Sequence, residues 1–335
     1  MPILLLLPTQ KLVERMQTIA AQDHYDLDGL HDELEKIFRV SEYLDFPFKI
    51  DEVTTYFLPN SHISDKLLQS LLANQQFPDL PFHLRDGYLL TKADQSTEAR
   101  SQRERLSAEK LVSATSFASL LSRAVPYVRT VAVTGSVAYG SAGKWDDIDL
   151  FIVTKRKRLW ISALLALVLV RVVKALNLRP PHLALFCLSY VHDEQGFAKE
   201  SNRSRTNPLF ARELLKAQPV AGAKRYRKYL EDNIWVRDFY ADAYETKLRE
   251  LTCNSNGAMV IDHFDPTGSL SFFADWAEGV AFVLLSRYLR LRAYLTNLKL
   301  KSQGNHLRLF EPIISASSCV YTSNFYRWLS AIWGE

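Results

Sequence analysis

Between Val131 and Thr154 the chain reads VAVTGSVAYGSAGKWDDIDLFIVT. Two features there are suited to act together: Gly135-Ser136, which ends one β-branched run, and Asp147-Ile148-Asp149, which opens another. On a strand, residues i and i+2 share a face, so Asp147 and Asp149 project side by side. Adjacent carboxylates repel unless a cation lies between them, and hard oxygen ligands at this spacing suit Mg²⁺ or Mn²⁺. Mg²⁺ keeps few protein ligands and completes its octahedron with water and phosphate oxygens, which fits a site that receives a nucleoside triphosphate. A glycine permits close backbone approach, and the amides that follow it, with the Ser136 hydroxyl, suit phosphate oxygens.

These residues resemble the signature of the polymerase-β-like nucleotidyltransferases, which is Gly-Ser, a comparable gap, and D-x-D at a strand start. The match lies in Gly135, Ser136, Asp147 and Asp149, with ten residues between Ser136 and Asp147. Gly140, Ala142 and the run Asp146 to Asp149 are similar to the minimal nucleotidyltransferase pattern. The resemblance implies an enzyme that moves a nucleoside monophosphate from an NTP to an acceptor hydroxyl and releases pyrophosphate. It implies Asp147 and Asp149 as catalytic ligands to two Mg²⁺ or Mn²⁺ ions, one activating the acceptor oxygen and one binding the triphosphate. Gly135 and Ser136 would position the β- and γ-phosphates. The acceptor stays open among a small molecule, a protein side chain and an RNA end.

Two departures qualify the match. Val137 stands where a basic residue often follows Gly-Ser. The resemblance also implies a third carboxylate on the strand after the crossover helix, yet no Asp or Glu occurs from Leu150 to His192. The candidate strand, Leu183 to Val191, offers Cys187, Ser189 and Tyr190, and the first acids are Asp193 and Glu194. Three readings therefore stand: Asp193 reaches the site, two carboxylates suffice, or the domain binds nucleotide without transferring it, as a sensor or scaffold.

The elements that must position these residues can be read from periodicity. Val128 to Thr134 and Ile148 to Val153 read as strands, and Leu183 to Val191 as a central one. Leu159 to Val170 is apolar except for Ser162. At 12 residues it is short of the roughly 20 that a membrane span needs, so it is expected as a helix buried in a core. Lys155 to Arg158 suits either phosphate neutralisation or a solvated helix start. Upstream, apolar spacing from Leu30 to Leu44 predicts a helix, Asp51 to Phe57 a second, and Ser64 caps a third that carries Leu67, Leu68, Leu71 and Leu72. Asp86-Gly87, between Phe82 to Arg85 and Tyr88 to Lys92, predicts a hairpin. This order resembles a winged helix. The third helix has a single cation, Lys66, so the phosphate attraction is weak and a docking or structural role is favoured over DNA binding.

The charged stretch Ala93 to Lys110 is expected as a solvated helix and a boundary, followed by an apolar helix from Leu111 to Ala124. Beyond Asn207 the pattern is almost wholly helical. The expected fold class is α+β with a short mixed sheet: residues 1–92 a winged-helix-like module, 93–196 a nucleotidyltransferase-like core, and 197–335 a helical region. A similar order of parts is known in a set of bacterial proteins. The basic, tyrosine-bearing runs Lys224 to Lys228 and Arg287 to Lys301 are expected to pack their apolar residues inward. Asp262 to Asp265 is expected as an acidic loop rather than a metal cluster.

Composition sets the outer bounds. Forty-one Lys and Arg against 37 Asp and Glu leave a net charge of +4, which excludes a polycation that wraps nucleic acid by bulk charge. Three scattered cysteines without a C-x-x-C pair argue against a disulfide framework and for a cytoplasmic setting. Ile3 to Leu7 is too short for a signal peptide, and no membrane span is expected.

Overall fold

In the computed structural model the residues described are 26–61, 63–176, 186–254 and 269–333. Ile3 to Leu7, Leu183 to Leu185 and Asp262 to Asp265 lie outside them. The chain forms two compact units, Met1–Thr97 and Glu98–Glu335.

The first unit carries α1 (Leu27–Leu44), β1 (Phe48–Lys49), α2 (Ile50–Tyr56), α3 (Asp65–Ala73), β2 (His83–Arg85) and β3 (Tyr88–Leu90). Leu30, Leu34, Ile37 and Val40 form the buried stripe of α1, at the spacing the sequence shows. The Ser64 hydroxyl accepts the Leu67 amide and caps α3. Asp86 and Gly87 both have positive φ, 50° and 78°. This is the backbone a two-residue hairpin needs to follow the strand twist. The three strands are antiparallel in the order β1-β3-β2.

The second unit is built on a six-stranded sheet. It begins with α4 (Thr97–Ala124), β4 (Val128–Thr134), the single turn α5 (Gly135–Ala138), β5 (Ile148–Thr154), α6 (Leu159–Ala175) and β6 (Phe186–Asp193). There follow α7 (Glu194–Arg203), α8 (Pro208–Lys216), β7 (Gln218–Ala221), α9 (Ala223–Asp232), α10 (Val236–Phe239) and α11 (Ala241–Asn254). After them come α12 (Ser269–Ser302), β8 (Phe310–Ile314), β9 (Ser318–Ser323) and α13 (Asn324–Trp333). The strand order is β7-β4-β5-β6-β9-β8. Among the described strands of this sheet only β5 and β6 are parallel, joined by the crossover helix α6, and the other pairs are antiparallel. The fold class is α+β.

Alternation along β5 sorts the layers. Leu150 and Ile152 enter a core with Phe117, Leu121, Ala163 and Leu285 from α4, α6 and α12. On the opposite face, Phe151 meets the rings of His192, Phe197 and Tyr226.

The structure departs from the sequence reading in four places. The stretch Ala93 to Lys110 is not solvated throughout: α4 is one continuous helix, and Arg100, Ser107 and Lys110 are buried. They continue backwards, at helical spacing, the stripe of Ala114, Phe117 and Leu121. Strands β7, β8 and β9 join the sheet from the region expected to be helical. Helix α6 buries Leu159, Trp160, Ala163 and Ala166 but leaves Leu165, Val168 and Val172 exposed. Likewise Tyr226 packs inward from α9, whereas Tyr288, Leu291, Tyr294 and Leu295 of α12 face outward.

Candidate functional site

The site is assembled where β4 ends and β5 begins, because these strands run antiparallel and pair Thr134 with Asp149. Gly135, the next residue, has φ +62°, a region L side chains avoid. Its neighbourhood excludes a side chain as well: a Cβ there would collide with the Asp149 carboxylate oxygen Oδ2. The other oxygen, Oδ1, accepts a hydrogen bond from the Ser189 hydroxyl on β6. Asp149 is thus clamped between the Gly135 backbone and Ser189. Asp147, just before β5, is exposed, so of the two carboxylates one is open to solvent and one is set into the fold.

Ser189 faces Asp149 by plain alternation. Asp149 pairs with Cys187, Phe186 and Leu188 enter the core with Leu150, and Ser189 falls with Cys187 on the opposite face, toward the carboxylate. Further along, Phe151 pairs with Tyr190, so two steps on β5 match three on β6. This bulge brings Val191 back into the core.

The loop from Gly140 to Asp146 is held on α4. The buried Lys110 ammonium donates to the carbonyls of Gly143 and Asp146, both at 2.6 Å. Ser107 accepts the Ala142 amide at 3.1 Å and donates to the Arg103 carbonyl at 2.8 Å. Within the loop, Asp146 accepts the Gly143 amide at 2.7 Å, and the Ser141 amide donates to the Ser136 carbonyl at 2.9 Å. Burial lowers the Lys110 pKa, while the charges of Asp146 and Asp147 oppose that shift. Sequence reasoning missed Lys110 and Ser107. The signal was present in their register with the apolar stripe that follows.

Burial pushes the Asp149 pKa up to about 6, with the charge of Asp147 adding to the shift and the Ser189 hydrogen bond opposing it. Burial and the nearby Asp149 push the Cys187 thiol up to about 12, so it is no nucleophile. Beside Asp149, the Thr134 hydroxyl is buried with no hydrogen-bond partner among the described residues. A deep carboxylate, an exposed carboxylate and an unmatched hydroxyl, all oxygen donors, fit a hard divalent cation that brings its own water or phosphate ligands. Among the described residues no group of three or more His, Cys, Asp or Glu forms a metal cluster.

Asp193 does not join the site. It lies at the far end of β6, paired with Thr154, roughly 16 Å along the strand from Asp149 at about 3.3 Å per residue. Its carboxylate is committed there, accepting the amides of Gly196 at 2.7 Å and Lys157 at 2.8 Å as the cap of α7. The run Lys155 to Arg158 shares that distant end, and Arg158 pairs with Asp275 at 2.5 Å, so these cations are not phosphate ligands for this site.

Residues 115–213 match the family model described as a nucleotidyltransferase domain. The segment is a polymerase-β-like nucleotidyltransferase domain. Searches of curated proteins and of solved structures each found no match. The nucleotidyltransferase segment contains the Gly135-Ser136 turn, the Asp147–Asp149 strand start and Ser189, and it ends at Glu213, whose carboxylate accepts the Tyr139 hydroxyl at 2.7 Å. Lys110 and Ser107, which hold the loop of this domain, precede it. Among the described residues, no helix is long and apolar enough to cross a membrane.

Proposed function

We propose that the domain transfers a nucleoside monophosphate from an NTP to an acceptor hydroxyl, with Mg²⁺ or Mn²⁺ held by Asp147 and Asp149. The observation that carries this reading is the Asp149 carboxylate, locked against Gly135 and Ser189 beside Asp147 with its pKa raised by burial. An inset carboxylate with a second one beside it is costly to ionise until a cation joins them. When bound, the ions neutralise the triphosphate and activate the acceptor oxygen. The Gly135-Ser136 turn brings backbone and a hydroxyl close to where the β- and γ-phosphates bind. Lys110, through the Gly143 and Asp146 carbonyls, fixes the loop that presents Asp147. The first unit, winged-helix-like in its order of elements, serves as a docking module for the acceptor or a partner.

A second reading rests on Ser189. It occupies the β6 position facing Asp149, and Asp193 is spent as a helix cap, so neither supplies a third carboxylate. On this reading the domain binds NTP as a sensor without transferring it. Pyrophosphate release, measured with each NTP across a panel of small-molecule, protein and RNA acceptors, separates the two. Release that disappears in Asp147→Asn supports transfer. NTP binding without release on any acceptor supports the sensor.

A further inference from the structure

Helices α6 and α12 lie side by side and parallel: Trp160 and Ile161 donate their amides to Glu278 at 2.7 and 2.9 Å, and Arg171 donates to the Tyr288 hydroxyl at 2.7 Å. Their inner faces cover the sheet, with Ala163, Ala166, Leu285 and Leu289 in the core. Their outer faces carry exposed apolar side chains, uncovered among the described residues. On α12, Phe272 is 72%, Trp276 66%, Leu284 59% and Leu291 58% exposed. On α6, Leu165, Val168 and Val172 are exposed alongside them. Isolated exposed apolar residues are ordinary, but a two-helix stripe marks an interaction surface.

Charge identifies the occupant. The acids of α12 are used internally: Asp275 pairs with Arg158, and Glu278 caps α6. From Gly279 to Ser302 there is no Asp or Glu, whereas Arg287, Arg290, Arg292, Lys299 and Lys301 fall in that span. A second copy paired along the Leu284, Leu291 and Leu298 seam, in parallel or antiparallel about Leu291, would set cations against cations, which like-charge repulsion opposes. A face two helices wide, with exposed aromatics at one end and cations along the other half, has the chemistry of a protein surface that lies on anionic lipid.

We propose that the outer face of α6 and α12 docks this protein onto an anionic membrane surface. The helices lie on the bilayer and do not span it, with leucine and aromatic side chains entering the headgroup region and arginines meeting lipid phosphate. Helix α6 leaves the Thr154 end of β5 and runs back along the sheet, and α12 runs parallel to it. The cationic half of the face therefore lies toward the carboxylate end of the sheet. The docking proposal does not depend on the transfer reading.

The test is co-sedimentation of the full chain with vesicles of phosphatidylcholine alone, or with one third phosphatidylglycerol, at low and high salt. The wild type is expected to bind the anionic vesicles at least about tenfold more tightly than the neutral ones, and to lose binding as salt rises. Leu284→Glu with Leu291→Glu, both surface changes, is expected to weaken binding by at least about tenfold with an unchanged thermal melt. Arg287→Glu with Arg290→Glu is expected to remove the preference for anionic lipid. No binding by the wild type at low salt, equal binding to both vesicle types, or unchanged binding in both variants overturns the proposal. A wild-type dimer in light scattering that the leucine variant splits, without vesicle binding, assigns the face to a second copy instead.

Discussion

Asp149 has one carboxylate oxygen on the Ser189 hydroxyl and the other against Gly135, and its pKa rises from 3.8 to about 6. A folded-state pKa above the unfolded value means that the folded protein holds the proton more tightly. Stability from this group is thus present at about pH 4 and is lost as pH rises through 6. Asp149→Asn removes the cost, so the metal-free variant is expected to melt a few degrees higher than wild type at pH 7.5. That gain should vanish near pH 4, and the variant should no longer bind Mn²⁺. Thermal melts with and without Mn²⁺ read all three, and a variant that melts lower at pH 7.5 contradicts the account. Gly135→Ala is expected to do the opposite. It places a Cβ into the Asp149 carboxylate at φ +62°, costing at least about 1 kcal/mol in urea unfolding.

At the scale of elements, α4 acts as a template for the loop between the two motifs. Lys110→Met leaves the Gly143 and Asp146 carbonyls without their buried donor, a loss of about 1–3 kcal/mol. It is also expected to weaken Mn²⁺ binding by moving Asp147. Glu109→Gln, one residue away on the exposed side of the helix, is expected to change neither. Calorimetry and urea unfolding on the two variants check the contrast, and equal behaviour would sink the template role.

How much of this was legible in the sequence follows from range. Gly135, Ser136, Asp147 and Asp149 stand close together in the chain, so their spacing alone placed them on adjoining strand ends. The Asp86-Gly87 hairpin and the Ser64 cap were legible for the same reason. Ser189 was not legible as a partner of Asp149, because the two stand 40 residues apart and meet only through the register of β5 with β6. Strands β7 and β8 escaped notice because they are short and contain Pro219 and Pro312. Proline is tolerated at a sheet edge, and these two strands are the edges. Of the two readings open for Lys155 to Arg158, phosphate neutralisation falls away because sequence adjacency to Asp149 becomes the full length of β5 in space.

At the scale of the whole molecule, buried ionisable groups couple folding of the second unit to pH. His192 lies within the sheet beside Phe151 and Phe197, its Nδ1 3.0 Å from the Ser318 hydroxyl, and burial lowers its pKa from 6.5 to about 4. A depressed folded-state value means that the unfolded chain takes up the proton first. Stability is therefore full above pH 6.5 and is lost as pH falls toward 4, by up to about 3 kcal/mol. His192→Gln should flatten that part of the urea-derived stability profile, and an equally steep profile would rule His192 out as its source. The central claim concerns the other end of the sheet, and it is tested most directly by calorimetric titration of a non-hydrolysable NTP into the full chain with Mn²⁺. Binding is expected, abolished by EDTA and by Asp147→Asn and Asp149→Asn each, whereas unchanged binding in those two variants would rule out a metal-dependent NTP site at these carboxylates.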